Sequence, residues 1–305
     1  MDVKKTMQDK VQDKDIDRPV RSGGGALRAR LALVAAMMIF GTTGILRRGI
    51  SLPSSVLSLT RAVIGTVFLS ALLKLKGRAL HRGSGGGLLR LSGALLGFNW
   101  ILLFEAYQQT SVTLTTLCYA MAPIMVILAS PFLLHERLTA RRLLCAAAAL
   151  TGMVLASGVL GESVQGGFGI LLALGGAFLY AMVTILNKKI SGVSGYDRAI
   201  VQLGSAAAVL LPYALLTEDW AGLSFTPSSI LLLGLAGVLH TGIAYALFLG
   251  SIERLKAQTA ALLSYIDPIM NIVLAALVLG EDLGAAGMAG AVLVLGSAFF
   301  GELGE

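Results

Sequence analysis

Long apolar stretches separated by brief polar ones run along almost the whole chain. Ten of them predict membrane helices: residues 29–49, 54–75, 90–107, 112–134, 141–160, 168–188, 197–216, 229–250, 257–279 and 285–302. Each approaches the roughly 20 mainly apolar residues that cross a ~30 Å hydrocarbon core. The connections are short, and little chain is left for a soluble domain.

The hydrophobic plan is written twice. Pro123-Ile124-Met125 lies thirteen residues before Glu136, and Pro268-Ile269-Met270 lies thirteen before Glu281. The two copies are 145 residues apart, and Ile127/Ile272, Leu134/Leu279, Leu138/Leu283 and Trp100/Tyr245 keep the same offset. Phe40-Gly41 resembles Tyr180-Ala181 more loosely, and Arg61 takes the place of Gln202. Five spans per half is an odd number, so the second half starts on the opposite side of the membrane. Such halves are inverted repeats about an axis in the membrane plane. The expected fold is therefore all-α: a polytopic membrane protein of ten transmembrane helices in two inverted five-helix repeats. Residues 1–28 read as a disordered cytoplasmic tail, 29–160 as the first repeat and 168–303 as the second.

Composition agrees. Hydrophobic residues make up 56% of the chain and charged ones 13%, against about 25% charged in soluble domains. A net charge of +7 raises the question of nucleic acid, and the distribution answers it. With the N-terminus inside, every Lys and Arg except Arg47, Arg48 and Arg61 falls on the inner side. Glu162, Glu218, Asp219, Glu281 and Asp282 fall outside. This is the positive-inside pattern of a multi-pass plasma-membrane protein with both termini cytoplasmic, and nucleic acid is not expected as a partner. The late first apolar segment and the acidic tail argue against a signal peptide.

Most of the 37 glycines read as packing residues, because small side chains let helices approach closely in lipid. The glycine run at 83–87 has neither the strand nor the Lys of a phosphate loop. Cys118 and Cys145 read as small buried hydrophobes, with no disulfide or metal site indicated. No hydrolase order, zinc motif or nucleotide fingerprint is present. No cofactor or enzyme activity is expected. With no room for an ATPase domain, the driving energy must be a gradient or exchange.

The residues Ala106-Tyr107, Thr110-Ser111, Pro123 and Leu133-Leu134-His135-Glu136-Arg137-Leu138 form a pattern, echoed by Ile266-Asp267-Pro268 and Leu279-Gly280-Glu281-Asp282-Leu283. This resembles the drug/metabolite transporter superfamily, EamA type, over about residues 30–302. The resemblance implies a central cavity lined by helices 1, 3, 4, 6, 8 and 9, with alternating access. It implies transport of amino acids, other metabolites, sugar phosphates, nucleotide sugars or drugs, often as export in bacteria. Two positions depart from the pattern: Phe40 stands where the family often has Trp, and Asp267 where it frequently has Glu.

Asp267 is the sharpest chemical candidate. A carboxylate at mid-helix costs ~2.5–3.5 kcal/mol on insertion scales, so it usually faces a cavity or a partner. Pro268 has no N–H and is expected to leave the Ser264 carbonyl without its helical donor. Ser264, Asp267 and Asn271 fall on one helical face, whereas the first repeat has Tyr119, Ala122 and Val126 there. One reading has Asp267 binding an amino group or carrying a coupling proton; the other is a structural hydrogen bond at a kink. Pro123 and Pro268 are expected to kink their helices, as hinges or as static bends. Arg61 either holds a substrate carboxylate or phosphate, or pairs with an acid, or snorkels. His240 is a proton relay or a packing residue. Phe40, Asn99, Trp100, Tyr119, Tyr180, Tyr245 and Tyr265 are further candidates for the cavity wall. Glu136 and Glu281 are expected to bond to neighbouring helix N-termini. Glu105 reads as a gate residue or an interfacial charge, and Trp220 as an interface anchor.

The expected function is secondary transport of a small organic metabolite through a midplane cavity, with export of amino acids or related compounds favoured. A drug or organic-cation exporter using Asp267 and aromatic faces is the alternative. From other classes stand an intramembrane enzyme built on Asp267 and His240, and a lipid-handling scaffold. Partners reduce to the solute and membrane lipid; nothing calls for a second subunit, and a monomer suffices.

Overall fold

The structure, a computed structural model, describes residues 23–81, 85–109, 112–156, 167–279 and 284–302. The described residues are helical and contain no strand. Ten passes can be followed: α1 (Gly23–Phe40, continued by Thr43–Arg48), α2 (Ser54–Leu75), α3 (Gly86–Gln109), α4 (Val112–Tyr119, then Ala122–Leu133) and α5 (Ala140–Ala156). The second set is α6 (Gly167–Lys189), α7 (Gly195–Thr217), α8 (Pro227–Leu235, Ala236–Ile243 and Ala244–Ile252), α9 (Ala257–Leu263, then Ile266–Leu279) and α10 (Gly284–Glu302). Helix starts at Gly23, inside the expected tail of 1–28; the remainder of that tail lies outside the described residues, as do Glu162, Glu281 and Asp282.

Six passes, α1, α2, α3, α6, α7 and α8, are long and apolar enough to cross a membrane by length and composition alone. Two others fall short because they are broken. This corrects the expectation of kinked but continuous helices at Pro123 and Pro268. The chain leaves helix at Ala120–Met121 and restarts at Ala122, with Pro123 in the first turn of the new piece. It leaves again at Ser264–Tyr265 and restarts at Ile266, with Pro268 in the first turn. Proline is tolerated there because its missing N–H has no intrahelical acceptor to serve. The Ser264 carbonyl is not orphaned either: the Asp267 amide donates to it at 3.3 Å.

Packing follows the duplication. α5 lies against α10, α2 against α7, and α4 against α9. The remaining large contacts come in pairs that exchange when the halves are swapped: α1 with α8 and α6 with α3; α2 with α8 and α7 with α3; α1 with α9 and α6 with α4. Small residues permit this closeness. A Cβ on Gly93 would lie 2.4 Å from the Gln202 carbonyl oxygen across the α3–α7 contact. Outward-facing apolar side chains such as Leu144 (70% exposed), Leu231 (74%) and Val292 (71%) form a surface that lipid, not water, would cover. Cys118 and Cys145 are both free thiols, the latter buried.

Candidate functional site

The two broken passes and the bent first pass meet around a cavity of about 520 Å³, within the usual range for small-molecule sites. α1 stops at Phe40 because Gly41 and two threonines, poor helix formers, follow. Gly41 is pressed on α9: a Cβ there would lie 2.4 Å from Met270 Cβ and 2.8 Å from the Asp267 carbonyl oxygen. The interruption of α1 therefore seats directly on the start of the second piece of α9.

That piece carries the candidate carboxylate. Asp267, Pro268 and Asn271 line the cavity, with Ser264 and Tyr265 at the break. Asp267 is thus in the first turn of a half-helix, not at the middle of a continuous one. Its carboxylate makes no hydrogen bond or ion pair among the described residues. Tyr265 lines the wall at the break, yet the residue is fully buried, packed with Ala120, Met153 and Ile269. The equivalent break brings Pro123 and Ala122 to the wall.

The opposite wall comes from α2 and α8. Arg61 is only 7% exposed. Its Nε donates to Thr241 Oγ1 at 2.8 Å, and its guanidinium lies over the Trp100 ring at 4.8 Å. It neither snorkels nor pairs with an acid among the described residues. His240 also lines the cavity, with Nε2 2.7 Å from Thr42 Oγ1. The Thr42 hydroxyl also lies 2.7 Å from the Ile39 carbonyl. The His240–Thr42 contact ties the α1 break to α8. A second guanidinium, Arg47, lines the rim; it donates to the Ile50 carbonyl and to Ser54.

One end of the cavity is floored by aromatic rings. Phe40, Tyr119, Tyr180 and Tyr245 line it. Phe248 sits behind them, with ring centroids 6.2 Å from Phe40, 6.3 Å from Tyr180 and 6.1 Å from Tyr245. Tyr119 and Tyr180 are 5.7 Å apart. Asn99 is the candidate that does not line the cavity. It is fully buried, donating to the Gly176 carbonyl at 2.7 Å and lying 3.1 Å from the Tyr119 hydroxyl. It joins α3 to α6 and holds Tyr119 from behind.

The cavity extends the other way to Arg47, Ile50 and Ser54 at the α1–α2 connection and to Leu103 and Phe104 on α3. Beyond the aromatic floor, the opposite end of the bundle is tied shut. His135 takes a positive φ of 57°, a left-handed turn that ends α4 and swings Glu136 onto α9. There Glu136 accepts the amide hydrogens of Ala257 at 2.8 Å and Gln258 at 3.4 Å. Arg142 donates to Gln258 at 2.6 Å, and Lys188 donates to the Leu255 carbonyl. Glu105 receives a 3.4 Å contact from the Tyr213 hydroxyl, and Trp220 donates to the Ala214 carbonyl.

Several residues here are not among the site candidates read from the sequence. Phe248 is an apolar residue in an apolar helix. Thr241 is marked only by its neighbour His240. Gln202 accepts from the Tyr245 hydroxyl at 2.9 Å and donates to Asn187 at 2.8 Å and to Ser92. Arg198, counted among the inner-side charges, is fully buried. It donates to the carbonyls of Asn187, Ile190 and Val193, and lies 3.8 Å from Glu253.

Comparison with known proteins agrees with this architecture. The chain is 30% identical over 252 residues to "Uncharacterized transporter YxxF" of Bacillus subtilis (strain 168), covering 81% of this chain and 80% of that protein. It is 27% identical over 200 residues to "Protein RarD" of Escherichia coli (strain K12), 65% of each. It is 27% identical over 183 residues to "Probable amino-acid metabolite efflux pump" of Salmonella typhimurium, 57% of this chain and 61% of that protein. A solved crystal structure superposes with a TM-score of 0.80 at 21% identity, over 90% of this chain and 98% of the other, which establishes shared fold. The EamA-like transporter family matches residues 27–158 and again residues 167–301. With both halves matched and ten helical passes around one cavity, the chain belongs to the EamA-like transporter family and is a membrane transporter, not an enzyme.

Proposed function

We propose that the protein is a secondary transporter that exports amino acids or related small metabolites by alternating access through the central cavity. The observation that carries this reading is the chemistry of the wall. A guanidinium from the first half, Arg61, and a carboxylate from the second, Asp267, unpaired among the described residues, line one chamber together with aromatic rings. A solute with both charges and an apolar body matches that wall. The Salmonella relative, named a probable amino-acid metabolite efflux pump, points the same way.

In the positive-inside orientation both termini are cytoplasmic in the plasma membrane. The mouth at Arg47, Ile50 and Ser54 then faces outward, and the aromatic floor closes the inner side. Alternating access requires the reverse arrangement as well. The breaks of α4 and α9 supply hinges at which their half-helices can reorient while Glu136 and its partners release.

Organic-cation export is the second reading, favoured by Asp267, unpaired among the described residues, in one chamber with Tyr119, Tyr180 and Tyr245; a cation would meet Arg61 in the same chamber. Counterflow into proteoliposomes separates the two. Amino-acid export predicts saturable uptake of radiolabelled amino acids driven by the same unlabelled solute. Exchange of organic cations without amino-acid exchange would replace it with the alternative.

A further inference from the structure

α8 is not a uniform helix. Ala236–Ile243 forms a π-helical segment, a geometry that is rare and concentrated at functional sites. The Thr241 hydroxyl donates to the Ala236 carbonyl at 2.8 Å, across the widened turn. The same oxygen accepts the Nε–H of Arg61 at 2.8 Å. Two glycines bring the segment hard against α2. A Cβ on Gly237 would lie 2.4 Å from Ile64, and one on Gly242 would lie 2.7 Å from Phe68. Arg61, Ile64 and Phe68 share one face of α2 by their spacing. The π segment therefore grips the face of α2 from which the guanidinium projects.

Arg61 is fixed on two sides. Thr241 takes Nε, and Trp100 covers one face of the guanidinium plane. The two terminal nitrogens make no hydrogen bond among the described residues, while Arg61 lines the cavity. A buried guanidinium without an anion is costly, and its free fork matches a carboxylate by two parallel hydrogen bonds. We infer that the cavity contains a built carboxylate subsite at Arg61, and that Thr241, held by the π turn of α8, is its positioning residue. The subsite selects solutes with a single carboxylate head. A phosphate dianion would find one aimed fork and, in the same chamber, the repelling Asp267. This assignment rests on the reading of the cavity as the solute site.

The two tryptophans allow a test that does not depend on transport. Trp220 is remote from the cavity, in the 3-10 turn Trp220–Gly222. Trp220→Phe leaves Trp100, directly under Arg61, as the reporter. Purified W220F protein is titrated with sodium acetate through hexanoate, against sodium chloride and the matching alkylammonium chlorides. A saturable emission change with carboxylates only is expected. Arg61→Gln in the same background abolishes it. Thr241→Val raises the half-saturating concentration roughly tenfold, the scale of one lost hydrogen bond to a charged group. Thr241→Ser, which keeps the hydroxyl, restores it and guards against a misfolded valine variant. An equal response to alkylammonium ions, or identical titrations of Thr241→Val and its parent, overturns the inference. Carboxylate-specific quenching without amino-acid counterflow would keep the subsite and remove the export reading; counterflow without quenching would do the opposite.

Discussion

The carboxylate of Glu136, one residue beyond the left-handed turn at His135, receives the amide hydrogen of Ala257 at 2.8 Å and so links the end of α4 to the beginning of α9. The two residues are 121 positions apart in the chain and belong to different halves. Helix N-termini carry unsatisfied N–H groups and partial positive charge, and a carboxylate answers both. Glu136→Ala is expected to lower stability by about 1–2 kcal/mol, the scale of a lost helix cap. It is also expected to loosen the end of the bundle opposite the mouth. Thermal unfolding in detergent, with thiol labelling of a cysteine introduced at Gln258, checks both effects. Unchanged melting and labelling would make this contact incidental.

Asp267 is the only carboxylate on the cavity wall among the described residues. Asp267→Asn preserves shape and removes charge. Solute affinity should fall about tenfold or more, the scale of a lost charged hydrogen bond. If the same carboxylate carries a coupling proton, the variant's exchange should also lose its dependence on pH. Counterflow measured across a pH series decides, and wild-type affinity with a wild-type profile would assign Asp267 a structural role.

Pro268 stands in the first turn after the break at Ser264–Tyr265. Pro268→Ala restores an N–H and lets the two pieces of α9 approach continuity. Exchange is expected to slow several-fold while solute binding persists. Spin-label pairs spanning the break should report a narrower distance distribution in the variant and a solute-dependent shift in the native protein. A native distribution indifferent to solute would mean that the break is a static bend.

Gly93 meets the Gln202 backbone where α3 crosses α7. The clash is with backbone, which cannot swing aside as a side-chain tip can. Gly93→Ala should therefore separate the two helices and disturb the hydrogen bonds of Gln202 to Ser92, Asn187 and Tyr245. A loss of about 1–3 kcal/mol, typical of overpacking, is expected in the detergent-solubilised protein. Melting equal to the native protein would show that the contact can relax.

The membrane fold was legible because lipid imposes long apolar runs, and because the 145-residue echo of Pro123 and Glu136 marks a duplication. Asp267 and Arg61 stood out because charge is rare in such runs. What resisted reading were properties set by partners distant in sequence. Phe248 cannot be told from any other apolar residue until Phe40, Tyr180 and Tyr245 close on it. The π turn leaves no periodic trace in eight residues. Polarity alone suggested Asn99 for the wall, yet its amide is committed to the Gly176 carbonyl. Charge counting placed Arg198 at an aqueous edge, whereas three carbonyls at the end of α6 draw it inside.

The break in α9 also changes the electrostatics of the chamber. Peptide dipoles at the start of a half-helix favour negative charge, and Asp267 stands in that first turn. In the corresponding turn of α4 an alanine, Ala122, takes that place. Duplication thus built a symmetric vessel whose wall is charged unevenly, with Asp267 from one half and Arg61 and Arg47 from the other. If the cavity is the solute site, a dipolar guest would have one preferred way round.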